Sequence, residues 1–271
     1  MTRAMPVFGE RALHLVEEDA LVVGDLHVGL ETELRAKGVN LPSQTERMRA
    51  RLMTMLHDTG ARRLIVIGDL KHRIPFSTHQ EVRELPWFFG GMPAEVELVP
   101  GNHDVDLAGL IAVETHEAEG IVVGEVGLLH GHTWPSEEVM SQPLVVTCHN
   151  HPAVMLMDEL GHRHKEACWV RAPFAPKARE RYPKLPQGAE LIVMPAFNAL
   201  TGGTAFNARE GGRLLGPLFG NGLVAVDEAR LWTVDGVDLG TIDALRRYTR
   251  DEDKRVRRSG VKEKRRPGWI E

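Results

Sequence analysis

Short apolar runs, each ending in a polar cluster, punctuate the N-terminal part of the chain. Ala12 to Val16 and Ala20 to Val23 have strand length and are separated by Glu17-Glu18-Asp19, whose charges suit a turn. The second run leads directly into Gly24-Asp25-Leu26-His27. Over 43–59 the period changes. Met48, Leu52, Met55 and Leu56 recur at helical spacing, and Ser43 with Glu46 three residues later has the form of a capping box. Arg63 to Ile67 is a compact apolar strand ending in Gly68-Asp69. Residues 78–89 have helical character, with Pro86 predicting a short or broken helix. Glu95 to Val99 alternates and ends in Pro100-Gly101-Asn102-His103-Asp104.

Strand, helix, strand, helix, strand predicts an α/β layered fold. Beyond residue 120 the pattern turns β-like, in IVVGEVGLLHGH, LVVTCHNH, ELIVMPAF and LVAVDEARLWTV, which predicts a second sheet packed on the first. The expected architecture is therefore a two-sheet α/β sandwich flanked by helices, spanning 1–245. Within it 158–188, rich in Pro, Lys and Arg, reads as an insertion or cover. Residues 246–271 form a basic C-terminal tail whose interleaved acids favour a solvated terminus over a nucleic-acid grip.

Composition narrows the class. A net charge of −5 gives no global electrostatic case for nucleic-acid or membrane binding, although it permits a local basic patch. No apolar run approaches a membrane span, and the N-terminal residues lack an apolar core of signal-peptide length. Cys148 and Cys168 are the only cysteines, so free thiols in a cytoplasmic protein without a membrane partner are expected.

The polar groups after the strands are Asp25 and His27, Asp69, Asn102 with His103 and Asp104, His130, then His149 and His151. In open α/β sheets ligands bind beyond the carboxyl ends of strands, so these loops should converge. Carboxylate, imidazole and amide oxygen suit borderline divalent metals, and the set is larger than one tetrahedral ion requires. It suits a pair of ions sharing a bridging ligand. In extended backbone, residues two apart share a face, so Asp25/His27 and His149/His151 should each point at one site. Cys148 and Asn150 would then point away.

In this order, GDLH (24–27), GD (68–69), GNHD (101–104), HG (130–131) and HxH (149–151) resemble the calcineurin-like metallophosphoesterases. KGVNLP (37–42), GDLKH (68–72), HGHTWP (130–135) and PAFNALTGG (195–203) extend the likeness. They resemble archaeal phosphoesterases related to double-strand-break repair nuclease subunits, and the bacterial ligase-associated endonuclease group. Cys148 departs from the glycine usual before the paired histidines.

The resemblance implies a first metal on Asp25, His27 and His151, a second on Asn102, His130 and His149, and Asp69 as the bridge. His103 would contact the scissile phosphate and protonate the leaving oxygen, with Asp104 orienting its second ring nitrogen. Asn198 is a candidate substrate contact. His132 is expected to stand behind the ligands or to be structural, and His72, with most of the other histidines, to serve surface or packing roles.

The expected cofactors are two divalent ions, Mn²⁺ first, with Fe, Zn, Ni or Co accepted by the same donors. The expected activity is phosphodiester hydrolysis by metal-bound hydroxide, with nucleic acid as a candidate substrate and a helicase or ligase as a candidate partner. The alternatives are a phosphomonoesterase, a small cyclic or linear diester hydrolase, or a metal-binding accessory subunit of a helicase or ligase system.

Overall fold

In the computed structural model, which describes residues 3–107, 109–158, 160, 162–208 and 213–247, two sheets face each other. The first contains β1 (Ala4–Pro6), β2 (Leu13–Leu15), β3 (Ala20–Val23), β4 (Arg63–Ile67), β5 (Glu95–Val99) and β6 (Glu114–Thr115), hydrogen-bonded in that order. Strands β3 to β6 run parallel, and β1 and β2 are antiparallel additions at one edge. Helices α1 (Leu30–Ala36), α2 (Thr45–Thr59) and α3 (His79–Phe89) fall between β3 and β5.

The second sheet comprises β7 (Ile121–Val123), β8 (Val126–Leu128), β9 (Leu144–Thr147), β10 (Pro152–Met157), β11 (Arg163–Pro173), β12 (Glu190–Val193), β13 (Thr204–Ala205), β14 (Arg230–Thr233) and β15 (Asp238–Thr241). Its order is β13-β10-β11-β12-β9-β8-β7, with β14 joining β11 to β15. Short helices accompany it, among them α4 (Glu137–Met140), α5 (Ala178–Arg181) and α6 (Pro217–Gly220).

Alternation along the strands builds the layers. Ala20, Val22, Ile65 and Ile67 of the first sheet meet Val126, Leu128, Val146 and Trp169 of the second in an inter-sheet core. Their neighbours Leu21, Val23, Leu64 and Val66 point outward, onto Met48, Leu52 and Met55 of α2 and Leu85 and Phe88 of α3. On the far side Val145, Val170 and Leu191 pack with Val139, Tyr182 and Leu218. Strands buried on both faces read as continuous apolar runs, which is why RLIVI shows no alternation.

Three expectations need correcting. Residues 163–173, read as cover, form the longest strand of the second sheet and pair with β10, β12 and β14. Cys168, Trp169 and Val170 bury there, while the charged residues that obscured the pattern remain exposed. Pro86 does not break α3, because Leu85 and Phe88 on its core face are fully buried and Gly90 N–H still bonds Pro86 O at 3.0 Å. The capping box belongs to α3, where Thr78 and Glu81 cap each other. Ser43 Oγ instead donates to Glu84 Oε2 at 2.8 Å.

Among the described residues no helix is long and apolar enough to cross a membrane. From residue 248 the expected basic tail lies outside the described residues. Arg246 and Arg247 at its start pair with Asp227 and Asp243.

Candidate metal centre

The carboxyl ends of β3, β4, β5, β8 and β9 open towards one place, as the parallel arrangement requires. Backbone bonds tie the loops together. Asp25 N–H donates to Gly68 O at 3.0 Å and His27 N–H to Asp69 O at 2.8 Å. Across the sandwich, His149 N–H donates to Asp25 Oδ2 at 3.1 Å and Phe197 N–H to Gly24 O at 2.9 Å.

All the candidate ligands but Asn102 and His130 share a backbone feature. Asp25, His27, Asp69, His149 and His151 all have left-handed φ, of 55°, 43°, 47°, 56° and 41° respectively. Each such residue costs about 1–3 kcal/mol unless its surroundings impose it, and such strain concentrates at functional sites. The paired residues therefore reach the site through turned backbone rather than the extended backbone expected. Cys148 consequently does not point away. Its Sγ lies 3.2 Å from His130 Nδ1 and donates to Ile67 O at 2.7 Å, beneath the centre. Asn150 does turn away, bonding Leu215 through both its side-chain amide atoms.

Two of the donor clusters among the described residues match the expected pair of sites. Asp25, His27, Asp69 and His151 form one, and Asp69, His130 and His149 form the other. Asp69 belongs to both: Oδ2 is 3.6 Å from His27 Nε2, while Oδ1 is 3.4 Å from His130 Nε2. Asn102 Oδ1 joins the second set, 3.2 Å from His130 Nε2.

Donor chemistry fits divalent metals. Asp25 Oδ1 is buried without a hydrogen-bond partner, 3.4 Å from His151 Nε2. An orphaned carboxylate oxygen in that position is what a cation satisfies. His27 Nε2 and His151 Nε2 lie 3.2 Å apart, and imidazoles sharing a tetrahedral ion at about 2.0–2.1 Å would have nitrogens about 3.3 Å apart. The ring nitrogens remote from the centre are held: His151 Nδ1 donates to Gly202 O at 3.1 Å and His130 Nδ1 to Ile67 O at 3.3 Å. That tautomer leaves each Nε2 lone pair facing the site.

At His27, His130 and His149 the electrostatics favour neutral imidazole ligands. Burial pushes His27 down to about 2, His130 to about 3 and His149 to about 4. For His151 burial also acts downward, but the Asp25 carboxylate outweighs it and the value rises. For Asp25 burial acts upward, and the nearby His151, His130 and His27 hold it below the usual carboxylate range. Burial and the neighbouring Asp25 charge raise Asp69 to about 8.

His103 stands beside the bridge, with Nε2 3.8 Å from Asp69 Oδ2. Its Nδ1 donates to His72 O at 2.5 Å and not to Asp104 as expected. The Asp104 carboxylate instead accepts from Gly101 N at 2.8 Å and Leu70 N at 2.8 Å, holding the β4 and β5 loops together. Asn198 is also placed differently from expectation. It is buried, donates to Leu26 O at 3.0 Å and accepts from Leu200 N at 3.0 Å, so it braces the His27 loop from behind.

His72, assigned to packing, proves to adjoin the site. Its Nδ1 lies 3.4 Å from His27 Nδ1 and its Nε2 2.7 Å from Glu33 Oε2. The GDLKH motif was the available signal. His132 lies near His130 and His149, with a buried Nδ1 that has no partner among the described residues.

The calcineurin-like phosphoesterase family model matches residues 20–189, which contain every residue of both donor sets. Among solved structures, the Pseudomonas putida nuclease MPE aligns over 88% of this chain and 100% of its own, with 19% identity and a TM-score of 0.53. The E. coli phosphoesterase Yfce aligns over 51% of this chain and 73% of its own, with 17% identity and a TM-score of 0.31. No curated protein matches the sequence. With more than half its length matched by the family model, the chain belongs to the calcineurin-like phosphoesterases, a family of metal-dependent hydrolases.

Proposed function

We propose that the protein is a dinuclear-metal phosphodiesterase whose substrates include nucleic-acid strands. The observation that carries this reading is the placement of Asp69, with one carboxylate oxygen towards each donor set. Asp25, His27 and His151 would hold one ion, and Asn102, His130 and His149 the other. The same N/O donors accept manganese, iron, zinc, nickel or cobalt, and manganese is the ion proposed here. When bound, the ions neutralise the phosphate and generate a nucleophile at neutral pH.

The chain's own residues supply the rest. His103 Nδ1–H is held by a carbonyl, so Nε2 is the nitrogen free to exchange a proton with the leaving oxygen. Burial lowers the His103 value, which favours giving the proton up. Asp104 fixes the loop from which His103 projects, a positioning role rather than a relay. The likeness in fold to the Pseudomonas putida nuclease MPE adds a nucleic-acid substrate by analogy alone.

The test is hydrolysis of bis(p-nitrophenyl) phosphate beside p-nitrophenyl phosphate by metal-stripped protein, with and without added Mn²⁺. Mn²⁺-dependent diester turnover that disappears in His149→Ala is expected. A monoester preference would make the protein a phosphatase. No turnover of either ester despite two bound ions would favour an accessory metal-binding subunit.

A further inference from the structure

A cavity of about 490 Å³ opens beside His151, on the outer side of the first donor set. Its volume lies in the range of ligand sites. Arg11 and Lys165 both line it with His151, and its lining contains no carboxylate and no Phe, Tyr or Trp. Ala153, Ala199, Gly202 and Gly203 keep the surface low.

Both cations have donors to spare. Arg11 Nη1 donates to Ala196 O at 3.0 Å and Asn198 O at 3.4 Å, which orients the guanidinium. Its Nε and Nη2 have no hydrogen-bond partner among the described residues. Lys165 Nζ donates to Gly203 O at 3.1 Å, one bond for a group with three donors. On a chain of net charge −5, two cations sharing a cavity with a candidate metal ligand mark a local site for anions.

We infer that this cavity receives the phosphate flanking the scissile one on a nucleic-acid strand. The inference rests on the phosphodiesterase reading above and adds a second, metal-independent contact with the substrate backbone. Phosphate contacts fix register on a strand and carry no base information. The one ring in the lining, His151, belongs to the first donor set, so without Phe, Tyr or Trp to stack on the cavity recognises the backbone whatever the base.

The experiment measures binding of phosphorothioate oligothymidylate of about ten nucleotides to the Mn²⁺-loaded full chain across a salt series. The phosphorothioate dinucleotide, which has no flanking phosphate, is measured beside it. Lys165→Met should weaken the longer strand several-fold and lower the slope of log affinity against log salt by about 0.7. Lys165→Glu should weaken it further, because it sets a negative charge against the phosphate. Neither variant should weaken the dinucleotide. Arg62→Met removes the same charge at the opposite end of β4, where Arg62 pairs with Asp19, and should leave binding unchanged.

Equal affinity of wild type and both cavity variants for the longer strand would overturn the inference, as would equal losses on the two ligands. Turnover of bis(p-nitrophenyl) phosphate by the same wild-type preparation reports separately on the phosphodiesterase reading. Failure there with intact strand binding would overturn that reading alone.

Discussion

His103 Nδ1 and the carbonyl oxygen of His72 lie 2.5 Å apart, a bond that joins the loop after β5 to the loop after β4 and leaves Nε2 next to Asp69. The acceptor is backbone, so His103 keeps its orientation whatever side chain stands at 72. His103→Ala is expected to lower kcat on a nucleoside diester by about 10²–10⁴-fold. The loss should be much smaller on p-nitrophenyl esters, whose leaving group needs little protonation. Equal losses on both would remove His103 as the proton donor.

Asp69 is the residue common to both donor sets, which makes its loss different in kind from loss of a histidine. Elemental analysis of Asp69→Asn should find both ions depleted. His151→Ala and His149→Ala should each lose about one of the two ions. A full complement in Asp69→Asn would rule out bridging.

Gly68 has a left-handed φ of 82°, and a Cβ there would run into the imidazole of His130. Gly68→Ala should therefore cost about 1–3 kcal/mol and displace a ligand of the second set. Thermal unfolding with and without Mn²⁺ checks both effects. The melting temperature should fall, and the increase produced by the metal should shrink.

Asn198→Ala separates a brace from a substrate contact. It leaves Leu26 O and Leu200 N without their side-chain partner in a buried place, at a cost of about 1–3 kcal/mol. A lower urea midpoint with weaker Mn²⁺ affinity is expected. A change confined to KM would restore the direct substrate role.

Glu97 gives a pH signature away from the centre. Burial alone would raise its pKa, but Arg63 at 2.7 Å and His116 at 2.9 Å donate to it and hold it below its ordinary value. Between the folded and unfolded values the unfolded chain binds more protons. The stabilisation is therefore present above about pH 4.3 and is lost as pH falls through the folded value. Urea midpoints of Glu97→Gln should decline less steeply than wild type over that acid range.

The sequence alone marked most of the polar positions that the structure brings together in the candidate metal centre. Apolar runs of strand length, each followed by Asp, Asn or His, require loops at the carboxyl ends of parallel strands, and such loops meet. It also determined the layered α/β class, because the period alternates between strand and helix before turning to strand. Only the tertiary structure decided how those residues are presented. Left-handed backbone at Asp25, Asp69 and His149 depends on bonds between segments distant in sequence, so local alternation placed Cys148 on the wrong side.

Residues 163–173 read as cover because charged side chains dominate the composition. Burial of Cys168, Trp169 and Val170 between neighbouring strands made them part of the sheet. The roles of Asp104 and Asn198 were equally illegible, since a polar side chain near a site can face the ligand or the backbone. Here unsatisfied N–H and C=O groups of the turning loops claimed both.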